Sequence, residues 1–530
     1  LGDVYKRQIS NRSYNKQSIY NEVIMKRIST PVTLATALLL SMTSTALKAQ
    51  ISDAPTTSEC VTIELSQTKD KVLYAGLFAP DNDAWIDLNA DGQCQPKERI
   101  GRKTERPDDY TDVFYDGPKT EIFELVEGVK TLRIYGKIEA LRFTDSETHT
   151  SPKTVDLSQC TALQYFKLYE CMDLEKIIPP LEENDCCEML SIQYTPLKSL
   201  DLSNFKKLLV LVASFNKQLE SVKLAECPEM LELDCSFTKV SQVDLSKVPE
   251  LTALYLCMAQ YSEIDLSLTP NLELLSLGGN YLKNIDLSKT PKLTNLSLFD
   301  NELTTVDVSM LPNLEILELE QNMLKTVDVS KNKRLKELTI HVNELSDLDL
   351  SMLGNLHLIT LSDNNISEEL MGKIVSKIPQ CKEFNEDEEE EKADLWGHCY
   401  VVNTPSPTSN VCNTLQVAEL KKKGWTPYDV NGTADPQGFM VNAIEYNGST
   451  PTGICTPIHE DEVKIAQTAT RVQIQGLNAN THVYLFNTSG ELLQKYNSLR
   501  SSEVNIPTES YPAGTYFVSI NNKSYKVILP

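Results

Sequence analysis

Hydrophobic residues return at a fixed spacing through the middle of this chain. In one copy of the pattern, Leu314, Leu317 and Leu319 are followed by Asn322, which gives the block L-x-x-L-x-L-x-x-N. The mixed step of three and then two residues predicts a short strand whose alternate side chains point inward. The first apolar positions of successive copies settle at a spacing of 21 residues, and they are Leu163, Cys187, Leu208, Met230, Leu251, Leu272, Leu293, Leu314, Leu335 and Leu356.

A block of this form at this period is typical of leucine-rich repeats. One copy cannot bury its apolar face alone, so neighbouring copies must stack, and their stability adds up coil by coil. We therefore predict a leucine-rich-repeat solenoid over residues 137–367. Its 21-residue coils place a parallel β ladder on the concave side and short irregular or 3-10 segments on the convex side.

The asparagine at the ninth position of each copy is expected to satisfy backbone groups where the coil bends. It is present from Asn280 onward, but Thr238 and Ala259 replace it in earlier copies. Ala259 has no hydrogen-bonding side chain, so we expect a looser coil there.

The flanking segments have other patterns. Residues 50–136 alternate as strands and predict an N-terminal β domain. Helical patterns at 368–378 and 414–423 predict a C-terminal cap over 368–430. A Gly, Asn, Pro and Thr-rich linker follows at 431–465, and the strands within 466–530 predict a small β-sandwich.

The N-terminus predicts export. Met25 and a Lys-Arg pair precede an apolar run and small residues that end near Ala49, so residues 25–49 are expected to be a signal peptide and residues 1–24 to be untranslated upstream sequence. The apolar run is too short for a transmembrane anchor, and we expect no membrane-spanning segment after cleavage. Thirteen cysteines suit an exported chain, and we expect Cys399 and Cys412 to form a disulfide.

The net charge of the chain limits the classes of partner that we expect. The chain of 530 residues has a formal net charge of −24. Nucleic acids and anionic membranes bind basic surfaces, so neither is expected as the main partner. The six histidines are scattered, and the sequence has neither G-x-S-x-G nor H-E-x-x-H. His341 and His357 lie in adjacent copies, and we expect both on the surface.

One loop before the repeats matches a calcium-binding pattern. Its candidate ligands stand at positions 1, 3, 5, 7 and 12 of a D-x-N-x-D-G loop and are Asp87, Asn89, Asp91, Gln93 and Glu98. Oxygen ligands at these positions can surround Ca²⁺, with Gly92 at the sharp turn. The alternative is a polar hairpin turn, because the residues before the loop look like a strand.

Aromatic side chains mark a candidate binding face on the strands. Consecutive copies hold Tyr194, Phe215, Phe237 and Met258 at the eighth position, and nearby positions add Tyr165, Tyr169, Tyr255 and Phe299. Neighbouring aromatics on a rigid scaffold are typical binding anchors. The alternative is that they pack against the flanking coils. Farther along, Asp300, Glu318, Glu320 and Glu337 predict an acidic patch.

The C-terminal unit resembles the sorting domain of the type IX secretion system of Bacteroidota. The resemblance is carried by Gly490 in a turn, by residues 514–518 (GTYFV) and by the closing residues 526–529 (KVIL), although Pro530 departs from the usual basic ending. The repeats resemble those of exported Bacteroidota proteins and, more loosely, of internalins. The resemblance implies export through the Sec pathway, contact with the secretion machinery, and release or attachment at the outer surface of the outer membrane.

Three functional hypotheses follow. The first is a secreted or cell-surface recognition protein, an adhesin, that binds a protein or glycan on its concave face. The second is an extracellular enzyme with an unrecognised catalytic region, and the third is a structural spacer. We favour the first and expect no enzyme activity, because the sequence has no catalytic motif and a spacer does not need an exposed aromatic row.

Overall fold

A computed structural model describes the stretches 59–66, 72–79, 84–100, 121–144, 150–382, 397–431, 443–449 and, with short gaps, 464–529. The chain divides into two compact units, Leu1–Leu338 and Thr339–Pro530. The expected signal peptide, the upstream segment, Gly490, Pro530 and most of the linker lie outside the described residues.

The N-terminal β structure of the first unit continues directly into the repeats. One sheet contains, in order, Trp85–Asp87, Thr131–Tyr135, Cys60–Leu65, Pro152–Gln159 and Lys176–Ile178. In a second sheet Val72–Phe78 lies between Glu121–Glu124 and Ala140–Thr144, and Ala140–Thr144 pairs in parallel with the first repeat strand. The second sheet therefore contains strands from both sides of the predicted boundary between residues 136 and 137. A 3-10 helix, Pro96–Glu98, forms the last three residues of the predicted calcium loop.

Short parallel strands, one to a copy, form the ladder of the first unit. They pair in register, so that Leu254, Leu275 and Leu296 are direct neighbours. The strands are Tyr165–Tyr169, Met189–Gln193, Val210–Val212, Glu232–Asp234, Ala253–Tyr255, Leu274–Ser276, Asn295–Ser297 and Ile316–Glu318. The strand Glu337–Thr339 lies at the boundary of the two units. The predicted parallel ladder of leucine-rich repeats is confirmed.

The core of each coil is built from the first, fourth and sixth positions of the repeat. In one copy these are Leu293, Leu296 and Leu298, which are at most 1% exposed. The asparagine of the ninth position closes the coil. Asn280 donates to the carbonyls of Leu256 and Leu277, both at 2.8 Å, so it joins two coils.

The expected looseness at Ala259 is not observed. Ala259 is buried, and the side-chain oxygen of Asn280 accepts the backbone N–H groups of Ala259 at 3.2 Å and of Tyr261 at 2.9 Å. Asn301 accepts the N–H of Leu282 in its preceding coil in the same way, at 3.0 Å, so Asn280 makes a regular contact of the ladder, and these N–H groups are bonded.

The side of the coils away from the ladder is more varied than predicted. Ser199–Leu202 and Ser221–Leu224 form a second parallel pair, and Leu245–Lys247 is a 3-10 helix. Later copies have turns instead, fixed by an aspartate that accepts the N–H two residues on, as Asp265 does from Ser267 at 2.9 Å. The Ser267 side chain is the main cause that lowers the pKa of Asp265.

The second unit contains a mixed cap and a β-sandwich. Parallel strands Leu358–Thr360, His398–Val402 and Thr426–Asp429 are followed by an antiparallel strand, Ile444–Glu445. Both predicted helices are confirmed, as Glu368–Lys377 and Thr414–Lys422. Their N-termini are capped by Ser367 and Asn413.

The predicted C-terminal β-sandwich is confirmed as two sheets. The first contains Lys464–Gln467, Arg471–Gln475 and Glu503–Pro507. The second contains Leu492–Asn497, His482–Phe486, Gly514–Ile520 and Lys523–Leu529. Apolar side chains of both sheets share one buried core, which includes Ile474, Ile506, Leu485 and Val518.

Candidate ligand-binding face

The eighth position of each copy follows the strand and has an unusual backbone. Its φ is positive throughout the first unit, at 57° for Glu170, 55° for Tyr194, 64° for Phe215, 58° for Phe237, 52° for Met258, 67° for Gly279, 50° for Asp300 and 57° for Gln321. This left-handed conformation costs a residue with a Cβ on the order of 1–2 kcal/mol. Hydrogen bonds to the next coil hold it, such as Phe237 N–H to the carbonyl of Cys257 at 2.7 Å.

This backbone stacks three rings into what we call the aromatic column, Tyr194, Phe215 and Phe237. The ring centroids are 4.7 Å apart at both steps, and the interplanar angles are 10° and 4°. The step matches the spacing of neighbouring strands, because each coil contributes one ring. Tyr169 meets the first ring edge-on, with centroids 5.3 Å apart and planes at 70°.

The column offers ring edges rather than ring faces to a ligand. Both faces of Phe215 are covered by its neighbours in the stack, and only 9% of this residue is exposed. Tyr194, Phe237 and Met258 are half-buried. Both sequence-based interpretations therefore agree with the geometry, because the rings pack on adjacent coils and Tyr194 and Phe237 still keep part of their surface in solvent.

Two glycines set the far end of the column. A Cβ on Gly279 would lie 2.2 Å from Sδ of Met258, and a Cβ on Gly278 would lie 2.1 Å from the ring of Phe299. Met258 and Phe299 therefore occupy the space that these glycines leave. Neither glycine was predicted, although the place of Gly279 at the eighth position, where the four preceding copies have large side chains, was a usable signal.

The remaining predicted ligand residues do not join the column. Tyr165 belongs to a separate buried apolar group on the strand face with Met189, Val210 and Leu231. Tyr255 is also buried, with 5% exposed. The structure therefore brings Tyr169, Tyr194, Phe215 and Phe237 together and places Tyr165, Tyr255 and Phe299 in other surroundings.

The predicted calcium loop is held by its own backbone. The carboxylate of Asp87 accepts the N–H groups of Asp91 at 3.2 Å and Gly92 at 3.0 Å. The carboxylate of Glu98 accepts those of Leu88 at 3.2 Å and Gln95 at 2.9 Å. Both carboxylates are buried.

The ligand candidates Asn89, Asp91 and Gln93 form hydrogen bonds with one another within the same turn. Asn89 donates to the carboxylate of Asp91 at 2.9 Å, and Gln93 N–H donates to the other Asp91 oxygen at 2.8 Å. In the described part of the chain, no group of three or more His, Cys, Asp or Glu side chains is arranged to hold a metal ion. This geometry agrees with the polar turn, and calcium binding stays a prediction.

A second aromatic group, in the second unit, was missed by the sequence analysis. Tyr400 and Tyr428 stack with centroids 5.2 Å apart, and the His398 ring lies 4.5 Å from that of Tyr428. Burial raises the pKa of Tyr400 to about 12. These residues come from two strands that do not follow the repeat spacing, so the period gave no indication that they are neighbours.

Two expectations about polar residues in the second unit are corrected. His341 and His357 are buried rather than on the surface, and Nδ1 of His341 lies 2.9 Å from the Thr360 hydroxyl. Cys399 and Cys412 are free thiols rather than a disulfide, as are all cysteines in the described stretches. Cys399 and Cys412 are both buried, and burial raises the pKa of Cys412 to about 12.

Comparison with known proteins identifies the C-terminal unit. Residues 463–529 match the family described as the secretion system C-terminal sorting domain. The predicted type IX sorting domain is therefore confirmed, and with it contact with the secretion machinery. The protein is secreted or attached to the outer surface of the outer membrane. No curated protein sequence matches the chain. Within the described stretches, no helix combines the length and the apolar character that crossing a membrane requires.

Solved structures similar to this chain include repeat proteins of other bacteria. The functional domain of InlJ from Listeria monocytogenes is 18% identical over 73% of this chain and 80% of its own, with a TM-score of 0.42. The internalin InlF of Listeria monocytogenes is 19% identical over 45% of this chain and 77% of its own, with a TM-score of 0.36. YopM from Yersinia enterocolitica is 21% identical over 39% and 50%, with a TM-score of 0.30.

Proposed function

We propose that this protein is a non-catalytic recognition protein, an adhesin or a released binding protein, whose ligand is a protein or glycan held on the strand face of the repeats. The observation that supports this most is the aromatic column. Three large side chains adopt a left-handed backbone at neighbouring coils, which is rare for bulky residues. Every copy of the first unit has this backbone at the eighth position, but only these three neighbouring copies place a ring there, so the rings themselves support a hypothesis of binding.

The rest of the face supports binding more than catalysis. The column lies on a regular ladder that fixes the positions of its rings, and a rigid site binds without paying for ordering of the surface. Catalysis requires a base, a nucleophile or a metal within reach of one reacting atom. The predicted ligand residues are mainly aromatic and supply none of these groups.

The experiment is a binding screen of the mature chain against arrays of host proteins and glycans. Phe237→Ala tests the column, and Tyr281→Ala is the matched control, because Tyr281 is 56% exposed and stands outside the column. We expect each specific ligand to lose about tenfold or more in affinity with Phe237→Ala, as is usual for an aromatic anchor. Ligands that respond equally to both substitutions, or to neither, would count against the proposal.

The structural spacer is the second candidate. If the protein is a spacer, we expect no ligand in the screen and full surface delivery. Phe237→Ala should then change only the stability of the chain. If the protein is an enzyme, we expect it to convert a component of the arrays to a product. Mass spectrometry of the recovered components would detect the product as a changed mass.

A further inference from the structure

We infer that the ligand of the strand face is a basic protein segment with an apolar anchor, rather than a neutral glycan. This inference rests on the proposed function and names the partner class for the same face. The observations that carry it are the orientation of the stacked rings and the separation of charge between the strand face and the other sides of the coils.

Stacking limits the ring faces that a sugar could contact. An aromatic ring is negative on its face and positive at its edge, so the C–H groups of a sugar are attracted to an open face. In the column, Phe215 has both faces covered at 4.7 Å, and Tyr194 has one face covered by Phe215 and makes a T-shaped contact with Tyr169. The accessible edges suit contacts with aliphatic side chains and with the faces of a partner's aromatic residues.

The strand face contains more acidic than basic residues. From the copy at Leu163 to Glu337, the third, fifth, seventh and eighth positions of the repeat contain a single basic residue, Lys167. The same positions contain seven acids, of which Glu232 and Glu320 are buried; the seven are Glu170, Glu232, Asp234, Asp300, Glu318, Glu320 and Glu337. Most of the acids follow the column along the ladder.

Apart from Lys167, the lysines of these coils lie outside these four positions, and several of them pair with acids there. Examples are Lys223 with Asp201 at 3.2 Å and Lys283 with Glu302 at 3.7 Å. At the four repeat positions counted above, acids therefore outnumber bases by seven to one. A basic partner is complementary to such a face, and complementary charge guides association.

The spacing sets the size of the partner. Phe237 and Glu318 are four copies apart, so at about 4.8 Å for each strand they are about 19 Å apart along the ladder. An extended segment rises about 3.3 Å for each residue, so about six residues connect the two points. Asp234, in the same copy as Phe237, places one acid beside the anchor itself.

The test uses a short labelled peptide of alternating leucine and lysine, the same peptide with glutamate in place of lysine, and a neutral cello-oligosaccharide. Each is titrated against the full mature chain by fluorescence anisotropy at low and physiological salt. The acidic variant combines Glu318→Gln with Glu337→Gln. The control combines Glu302→Gln with Glu229→Gln, which removes the same charge from residues paired with lysines off the strand face.

We expect the leucine–lysine peptide to bind, to weaken with salt because exposed charges are screened beyond about 8 Å, and to weaken about fivefold in the acidic variant. The control variant should bind as the parent does. Equal binding by both variants would overturn the inference, and so would oligosaccharide binding that Phe237→Ala abolishes, which leaves the proposed function intact. If no probe and no screened ligand depends on Phe237, the proposed function itself fails.

Discussion

Replacing Phe215 by glycine should harm the protein less than replacing it by alanine. In an ordinary strand the order is reversed, because glycine is less stable than alanine by about 0.5–1 kcal/mol. At φ 64° the alanine Cβ retains the left-handed cost of about 1–2 kcal/mol, and glycine does not have it. The expected net difference is therefore about 1 kcal/mol in favour of Phe215→Gly.

Both substitutions should still destabilise the chain relative to the parent. Phe215 is 9% exposed and stacks on two rings at 4.7 Å. Removing a buried phenylalanine costs about 3–5 kcal/mol, and each lost ring pair accounts for about 0.5–1.5 kcal/mol of stabilisation beyond area burial. Because this site is at the rim of a coil, we expect about 3 kcal/mol for alanine and about 2 kcal/mol for glycine.

The assay is urea unfolding of the mature chain followed by circular dichroism. The same pair of substitutions at Val212, a strand residue without a positive φ, is the matched control. There the glycine variant should be the less stable of the two. Equal orders at Val212 and Phe215 would refute the account of the eighth position as a strained backbone that the aromatic residues occupy.

Three further predictions test other parts of the structure. Asn280→Ala leaves buried groups of two coils without partners, so it should lower the free energy of unfolding in urea by about 2–4 kcal/mol. The control Asn271→Ala, at a half-buried site, should lower it by less than about 1 kcal/mol. Equal losses would contradict the bridging role of Asn280. If the predicted calcium loop binds, calorimetry of the parent should show calcium-dependent heat that Asp87→Asn abolishes; a parent without heat removes the site. Deleting residues 463–529 should abolish surface delivery, and normal delivery without them would contradict the sorting role.

The period made most of the repeat structure predictable. A spacing of 21 residues assigns the leucines at the first, fourth and sixth positions to the core, and it placed Tyr194, Phe215 and Phe237 at one position of adjacent coils. Their stacking then follows from the spacing of strands. The period could not show which face of each ring is covered, because that depends on side-chain angles at a left-handed backbone.

Other features depend on contacts that no local pattern reports. Cys60–Leu65 pairs with Pro152–Gln159 across about ninety residues, so the union of the N-terminal strands with the ladder could not be read from either segment alone. The side chain of Asn280 accepts the N–H of Ala259 in the preceding copy, so the order of that coil depends on a residue outside it. In each case the error came from treating one segment as independent of its neighbour.

The central claim is that the strand face around the aromatic column contacts the ligand. The most direct measurement is photo-crosslinking of a bound ligand through a photoreactive amino acid placed at Phe237 in one variant and at Tyr281 in another. We expect crosslinks from the Phe237 site and none from the Tyr281 site, which is exposed but outside the column. Crosslinks from the Tyr281 site alone, with a ligand that binds both variants, would contradict the account.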